Sequence, residues 1–165
     1  MIDLVIREAR PEELADAGDV VVRAYRALWN DPHHDYLEHI RDAAGRARHC
    51  PILVAVDPED GSVLGCVTYV PGHGNPFAEL ARETEAEFRM LGVAPEAQGR
   101  GVGEALVRAC IARARAAHRS RMVLSTSSAM RSARRLYERL GFRRVPERDW
   151  TPVPGVDLLA YVLDL

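Results

Sequence analysis

The chain has no lysine; all 22 of its Lys and Arg residues are arginine. That excludes a Walker A phosphate loop, which needs Gly-Lys-Ser/Thr, and it leaves the protein no side-chain amine of its own. Long apolar runs are also missing. None approaches the ~20 residues of a membrane span. The opening Met1-Ile2-Asp3-Leu4 lacks the basic start and apolar stretch of a secretion signal. A cytoplasmic location with no membrane partner is therefore expected. Cysteine is scarce: Cys50, Cys66 and Cys110 are odd in number and widely spaced. Reduced, partly buried thiols are expected rather than a disulfide framework. No repeat, linker or low-complexity tract interrupts the sequence. Residues 1–165 are expected to form one α/β domain with a real core.

Charge is unevenly placed. The net charge is −2, yet Gln98 to Arg144 holds twelve arginines against Glu104 and Glu138, a surplus of +10 that leaves −12 elsewhere. A basic block raises the question of nucleic acid. The chain has no recognised module and no run of exposed aromatics, so no nucleic-acid partner is expected. The segment Asp31-Pro32-His33-His34-Asp35, with His39, invites a metal reading. Asp35 and His39 are helix neighbours at i, i+4, but closed sites need better-spaced ligands, and no metal is expected.

The most informative stretch runs from Glu87 to Gly103: Glu-Phe-Arg-Met-Leu-Gly-Val-Ala-Pro-Glu-Ala-Gln-Gly-Arg-Gly-Val-Gly. Phe88 to Val93 reads as a buried strand, continuing a central strand from Thr84. Gln98 to Gly103 is a Gly-rich turn. A helix follows with Val102, Ala105, Leu106, Ala109 and Cys110 on one stripe. A strand-turn-helix unit leaves backbone N–H groups unpaired at the helix start, an anion site suited to a diphosphate. A dinucleotide fingerprint is a poor match, because the glycines are spaced two apart and no acid lies between Glu104 and Glu138.

The surrounding elements are readable. Leu4 to Arg7 is a short strand. Pro11 opens a helix with Leu14, Ala17, Val21, Tyr25 and Leu28 on its inner face. A second helix spans about His34 to Arg46. Ile52–Val56 and Val63–Val70 form a hairpin, and Met122–Leu124 is a short buried strand. Ala133, Leu136, Tyr137 and Leu140 mark a last helix that stops at Gly141. Phe142–Val145 and Val156–Leu163 close the sheet, with Pro152-Val153-Pro154-Gly155 as the turn between them.

The spacing Gln98-x-x-Gly101-x-Gly103 after Leu91-x-Val93-x-Pro95 resembles the GNAT superfamily of N-acetyltransferases. Ala133-x-x-x-Tyr137 followed by Gly141-Phe142 agrees with that family's last helix and the strand after it. The resemblance implies an α/β fold with a mixed, mostly antiparallel central sheet splayed at its middle strands and flanked by about four helices. It implies transfer of an acetyl group from acetyl-CoA to a primary amine of a small-molecule or peptide acceptor. Attack would be direct, in a ternary complex, and a homodimer is a common assembly. The alternative is an acyl-CoA-binding sensor without useful turnover, which keeps the turn but needs neither Glu87 nor Tyr137.

The same resemblance assigns residues. Gln98, Gly99, Arg100, Gly101, Val102 and Gly103 would hold the pyrophosphate. The Leu91 N–H would meet the acetyl carbonyl, and Val93 would bond the pantetheine arm. Both roles require a bulge or splay in the strand; Gly92 between them reads as a close approach by ligand. Glu87 stands where similar members carry a general base, with Glu85 on the same strand face or a water as alternatives. Tyr137 matches the general acid and also contacts the cofactor. Met130 departs from the pattern, which often has Asn there; Ser127, Ser128 or Ser132 can substitute. Trp29, His33, His34, Tyr36 and His73 border the expected acceptor pocket.

Overall fold

The computed structural model describes residues 3–28 and 34–165. β1 (Val5–Glu8) leads through a 3-10 turn (Pro11–Glu13) into α1 (Leu14–Leu28). Glu13 secures this entry. Its carboxylate accepts from the Arg10 N–H at 2.8 Å and from Arg7 at 2.7 Å. Hydrogen bonding from Arg7 outweighs partial burial and holds Glu13 down to about 2. α1 buries Ala17, Val20, Val21, Ala24 and Tyr25, as its apolar stripe predicts. Leu28, expected on that face, is 50% exposed.

The second predicted helix is two. α2 (His34–Arg41) ends at Asp42, and α3 (Ala43–Ala47) begins there. Asp42 leaves helical geometry (φ −78°, ψ 62°), and its carboxylate caps the Gly45 N–H at 3.0 Å. A short polar side chain that bonds the backbone ahead of it starts a new helix in this way. Five α-helices therefore flank the sheet among the described residues.

β2 (Ile52–Val56), β3 (Val63–Val70), β4 (Glu85–Val93), α4 (Val102–Ala116), β5 (Arg121–Ser127), α5 (Arg131–Arg139), β6 (Arg143–Arg144), β7 (Trp150–Val153) and β8 (Val156–Asp164) complete the order. The sheet runs β1-β2-β3-β4-β5-β8-β6, with β7 also on β8. Among the described residues only β4 and β5 are parallel. Pro152 and Val153, expected within the turn, instead end strand β7, although Pro152 cannot donate to a ladder. It is tolerated because β7 is an edge strand with an irregular register around that proline. The hairpin turns at Pro154-Gly155, where Gly155 has φ 85°.

Helices cover both faces. A Cβ on Gly65 would meet Val102 and Leu106 of α4, and one on Gly92 would lie 2.7 Å from the Val21 Cα of α1. This corrects the expectation for Gly92: helix α1, not a ligand, approaches it. Gly92→Ala is expected to cost about 1–3 kcal/mol by overpacking against backbone that cannot yield, read as a lower urea midpoint with an unchanged slope. All three cysteines are free and buried, and burial pushes the Cys66 thiol up to about 12. No described helix is long and apolar enough to cross a membrane.

Candidate functional site

The site begins with a strand that loses one neighbour. β4 pairs with β5 only through Glu85, Ala86 and Glu87, opposite Arg121, Met122 and Val123. From Phe88 onward the two strands diverge, and β4 keeps β3 alone. Against β3, Gly92 pairs with Cys66 and Arg89 with Thr68, so Met90 and Leu91 share a single partner position. This is a β-bulge. Met90 sits at its centre with φ 56°, an unfavourable conformation for a side-chain-bearing residue, held by burial.

The bulge decides where the backbone points. The Ala94 N–H donates to Leu64 C=O at 2.8 Å, which makes Gly65 and Val93 a non-hydrogen-bonded pair. The Val93 N–H and C=O therefore face away from β3, and so do those of Leu91 two residues earlier. Both pairs of groups point into the gap between β4 and β5. Gln98 reaches the same gap, where its Nε2 donates to Val93 C=O at 3.2 Å.

The gap leads to the turn 98–103. Gly99 and Gly101 have φ of 77° and 81°, and a Cβ at either position would point into open space. Left-handed geometry is why these two positions are glycine. Gly101 is the N-cap of α4 and offers no side chain. The first helical bond is Ala105 N–H to Gly101 C=O at 3.0 Å. The N–H groups of Val102, Gly103 and Glu104 thus have no partner among the described residues, and exposed Arg100 stands beside them. The Val102 side chain is buried, so only its backbone is on offer. Gly103 differs from its neighbours, since a Cβ there would make ordinary contacts at 3.5 Å and 3.6 Å.

Tyr137 comes to the gap from α5. Its ring packs against Phe88 (5.7 Å), Phe142 (5.9 Å) and Tyr161 (6.2 Å). Its hydroxyl makes no hydrogen bond to the described residues. Burial raises its pKa, so the phenol stays protonated at neutral pH. Met130, the N-cap of α5, makes no side-chain cap. Nearby, the Ser127 hydroxyl is buried without a partner among the described residues, and Ser128 and Ser132 are exposed.

Glu87 is fully buried. Its Oε1 accepts three backbone N–H bonds, from Glu79 (3.0 Å), Leu80 (2.9 Å) and Ala81 (3.0 Å), while Oε2 has no partner among the described residues. Burial raises its pKa against the pull of those three donors and of Arg89. Glu85 has a different fate. Arg148 grips both its oxygens at 2.9 Å and 3.0 Å, and the Arg82 N–H adds a third bond at 2.9 Å. Burial works to raise Glu85, but these partners outweigh it and leave the pKa lowered. Glu85 is thereby a structural carboxylate. Arg148 also donates to Leu80 C=O at 2.6 Å, so it and Glu87 anchor the same loop.

Sequence reasoning missed the groups facing Glu87. Arg89, two residues along the same face of β4, pairs through Nε with Glu79 at 2.7 Å and donates to Phe77 C=O at 3.1 Å. Arg46 of α3 donates to Thr68 Oγ1 at 3.1 Å and to His39 C=O at 2.8 Å. A charged residue breaking the apolar run Phe88–Val93 was the available signal for Arg89. Among the expected acceptor contacts, Tyr36 lies within hydrogen-bonding reach of Arg89, and His34 opens α2. His73 is exposed and bonds Ala81 C=O at 3.1 Å, so it serves the loop. Trp29 and His33 lie outside the described residues.

A splayed parallel pair, a bulge that turns the backbone groups of Leu91 and Val93 into the gap and an open turn at a helix start make up the site. The chain belongs to the acetyltransferase (GNAT) family, whose model matches residues 14–142. It is 35% identical over 108 residues to an uncharacterised N-acetyltransferase of Schizosaccharomyces pombe, covering 66% of this chain and 61% of that one. It is 35% identical over 117 residues to an L-methionine sulfoximine/L-methionine sulfone acetyltransferase of Pseudomonas paraeruginosa, covering 70% and 64%. The chain thus spans less than two thirds of the length of these curated relatives. A putative acetyltransferase from Salmonella typhimurium, solved with its cofactor acetyl-CoA, shares the fold with a TM-score of 0.68 at 24% identity, covering 99% of this chain and 94% of that one.

Proposed function

We propose that the protein is an acetyl-CoA-dependent N-acetyltransferase, that residues 1–165 act as one transferase domain, and that its acceptor is a primary amine on a small molecule or peptide. The observation that carries this reading is the gap itself. Leu91 and Val93 present backbone groups along it, and it opens at one end onto the unpartnered amides of the Gly99–Glu104 turn. Those features fit the co-substrate: amides for the pantetheine arm, then a helix N-terminus and Arg100 for the diphosphate. Acetyl-CoA supplies an activated acyl group as its thioester.

The chain's own residues then have little left to do. An alkylammonium has pKa ~10 and no lone pair until it loses a proton. Glu87 takes that proton at Oε2, directly or through one water, while Oε1 stays on the loop. Its raised pKa makes it a stronger base than an ordinary carboxylate. The amine nitrogen bonds to the acetyl carbon, and the Leu91 N–H donates to the carbonyl oxygen as charge gathers there. The carbon–sulfur bond breaks, the Tyr137 hydroxyl gives its proton to the departing sulfur, and the second proton shed by the new amide nitrogen returns through water to the phenolate.

Calorimetric titration with acetyl-CoA, desulfo-CoA and ATP tests the reading. Binding of both CoA species and not of ATP is expected; failure to bind acetyl-CoA overturns it. Tyr137→Phe should then lower kcat about 10²-fold, with the acetyl-CoA Kd nearly kept. Stability should change by less than about 0.5 kcal/mol, because the hydroxyl has no partner to lose. An unchanged kcat would remove Tyr137 from the acid role.

A further inference from the structure

The face of β4 that carries Glu87 holds more charge than acyl transfer requires. Glu87 and Arg89 leave this face about 7 Å apart at the backbone, two strand steps along. Arg89 is 13% exposed, and its partner Glu79 is 24% exposed. Glu79 belongs to the loop rather than to the sheet, so its carboxylate rests on Arg89 where solvent can reach both. Behind them Arg46 is 1% exposed and forms no ion pair among the described residues. Its Nη2 is buried without a hydrogen-bond partner among the described residues. An unpaired buried guanidinium is costly and creates a positive potential that water does not screen. His39 registers that potential: burial first, then Arg89 and Arg46, push its pKa down.

This face of β4 therefore has two poles. Glu87, with an unpartnered oxygen, is the acidic one, and Arg89 backed by Arg46 is the basic one. A simple alkylamine or a peptide N-terminus would satisfy only the first. We propose that the acceptor is a free amino acid, its amine directed to Glu87 and its carboxylate bound by Arg89 in place of Glu79. The assignment rests on the acetyltransferase reading and narrows it. Arg89 is then the residue that separates acids from amines of the same shape, through a planar guanidinium suited to carboxylate. Glu79 occupies the carboxylate position until the acceptor arrives. Arg46 strengthens the basic pole from beneath without touching the ligand.

The test is a thiol-release assay with acetyl-CoA and three matched panels: the twenty L-amino acids, their amides, and the corresponding decarboxylated amines. At least one free amino acid should be turned over with kcat/KM about 10-fold or more above its own amide and amine. Arg89→Gln should bring that ratio close to one by raising KM for the acid, and Arg89→Lys should restore part of it. Equal or better turnover of the amides or amines overturns the proposal, as does turnover of no free amino acid. In either case, retained acetyl-CoA binding by calorimetry leaves the transferase reading standing; lost binding removes both. If Arg89→Gln does not fold, the acid-to-amide ratio of the unmodified protein decides alone.

Discussion

Glu87→Gln is expected to lower kcat by about 10²–10⁴-fold while the fold survives. The amide oxygen of glutamine can still accept from Glu79, Leu80 and Ala81, so the loop stays anchored. What disappears is the proton acceptor at the second position. The pH dependence checks this. Burial raises Glu87, so the acidic limb of the rate profile should lie above the ordinary carboxylate value of ~4.3. Glu87→Gln should abolish that limb. The linked stability effect has the opposite sense to the usual carboxylate. With the folded pKa raised, the contribution of Glu87 is full below ~4.3 and is lost as pH rises through the raised value. The urea midpoint of the unmodified protein minus that of Glu87→Gln should fall as pH rises across that window, since every other carboxylate is common to both proteins. Glu87→Ala is a different experiment: it strands three N–H groups, at roughly 1 kcal/mol each or more. An unmoved rate profile in Glu87→Gln would pass the base role to water.

Arg148→Met should cost about 3–5 kcal/mol, the usual loss when one partner of a buried pair is removed. Arg148 and Glu85 are both nearly inaccessible, and without the guanidinium the carboxylate is left charged and buried. Arg121, at 3.9 Å and half exposed, is too far away to replace it. For a chain of this length the change corresponds to a fall in Tm of about 10 °C, measured by circular dichroism. Adding Glu85→Leu should recover most of the loss, since an apolar pair removes the stranded charge. A single variant that melts within about 2 °C of the parent would show that the pair contributes little. Catalysis should suffer as well, because Arg148 holds Leu80 C=O and so helps fix the loop that positions Glu87.

The strand-turn-helix unit was legible because its signals are local. Glycines at positive φ, an apolar strand before them and an apolar stripe after them all lie between Phe88 and Cys110. The bulge was legible only as a requirement, since its executor, Met90, carries no turn chemistry. Gly92 shows the limit of composition: a missing side chain announces a close approach without saying by what, and the answer was Val21 of α1. The break at Asp42 was hidden because Leu37, Ile40 and Ala43 carry an apolar stripe straight across it. Arg148, 63 residues from Glu85, and Arg46, 22 residues from Thr68, were beyond reach. Nothing near either arginine in sequence distinguishes it from the twenty others, most of which face solvent.

Half of β4 is a strand with one neighbour, and that has a consequence for the molecule's endurance. Leu91 and Val93 should exchange their amide hydrogens quickly beside slow neighbours at Glu85–Glu87, two behaviours within nine residues. A ligand that bonds those groups acts as the absent neighbouring strand and binds only the folded chain. At 100 times its Kd such a ligand adds about 2.7 kcal/mol to stability. Occupancy of that gap and resistance to unfolding would then rise and fall together, with no separate part to couple them.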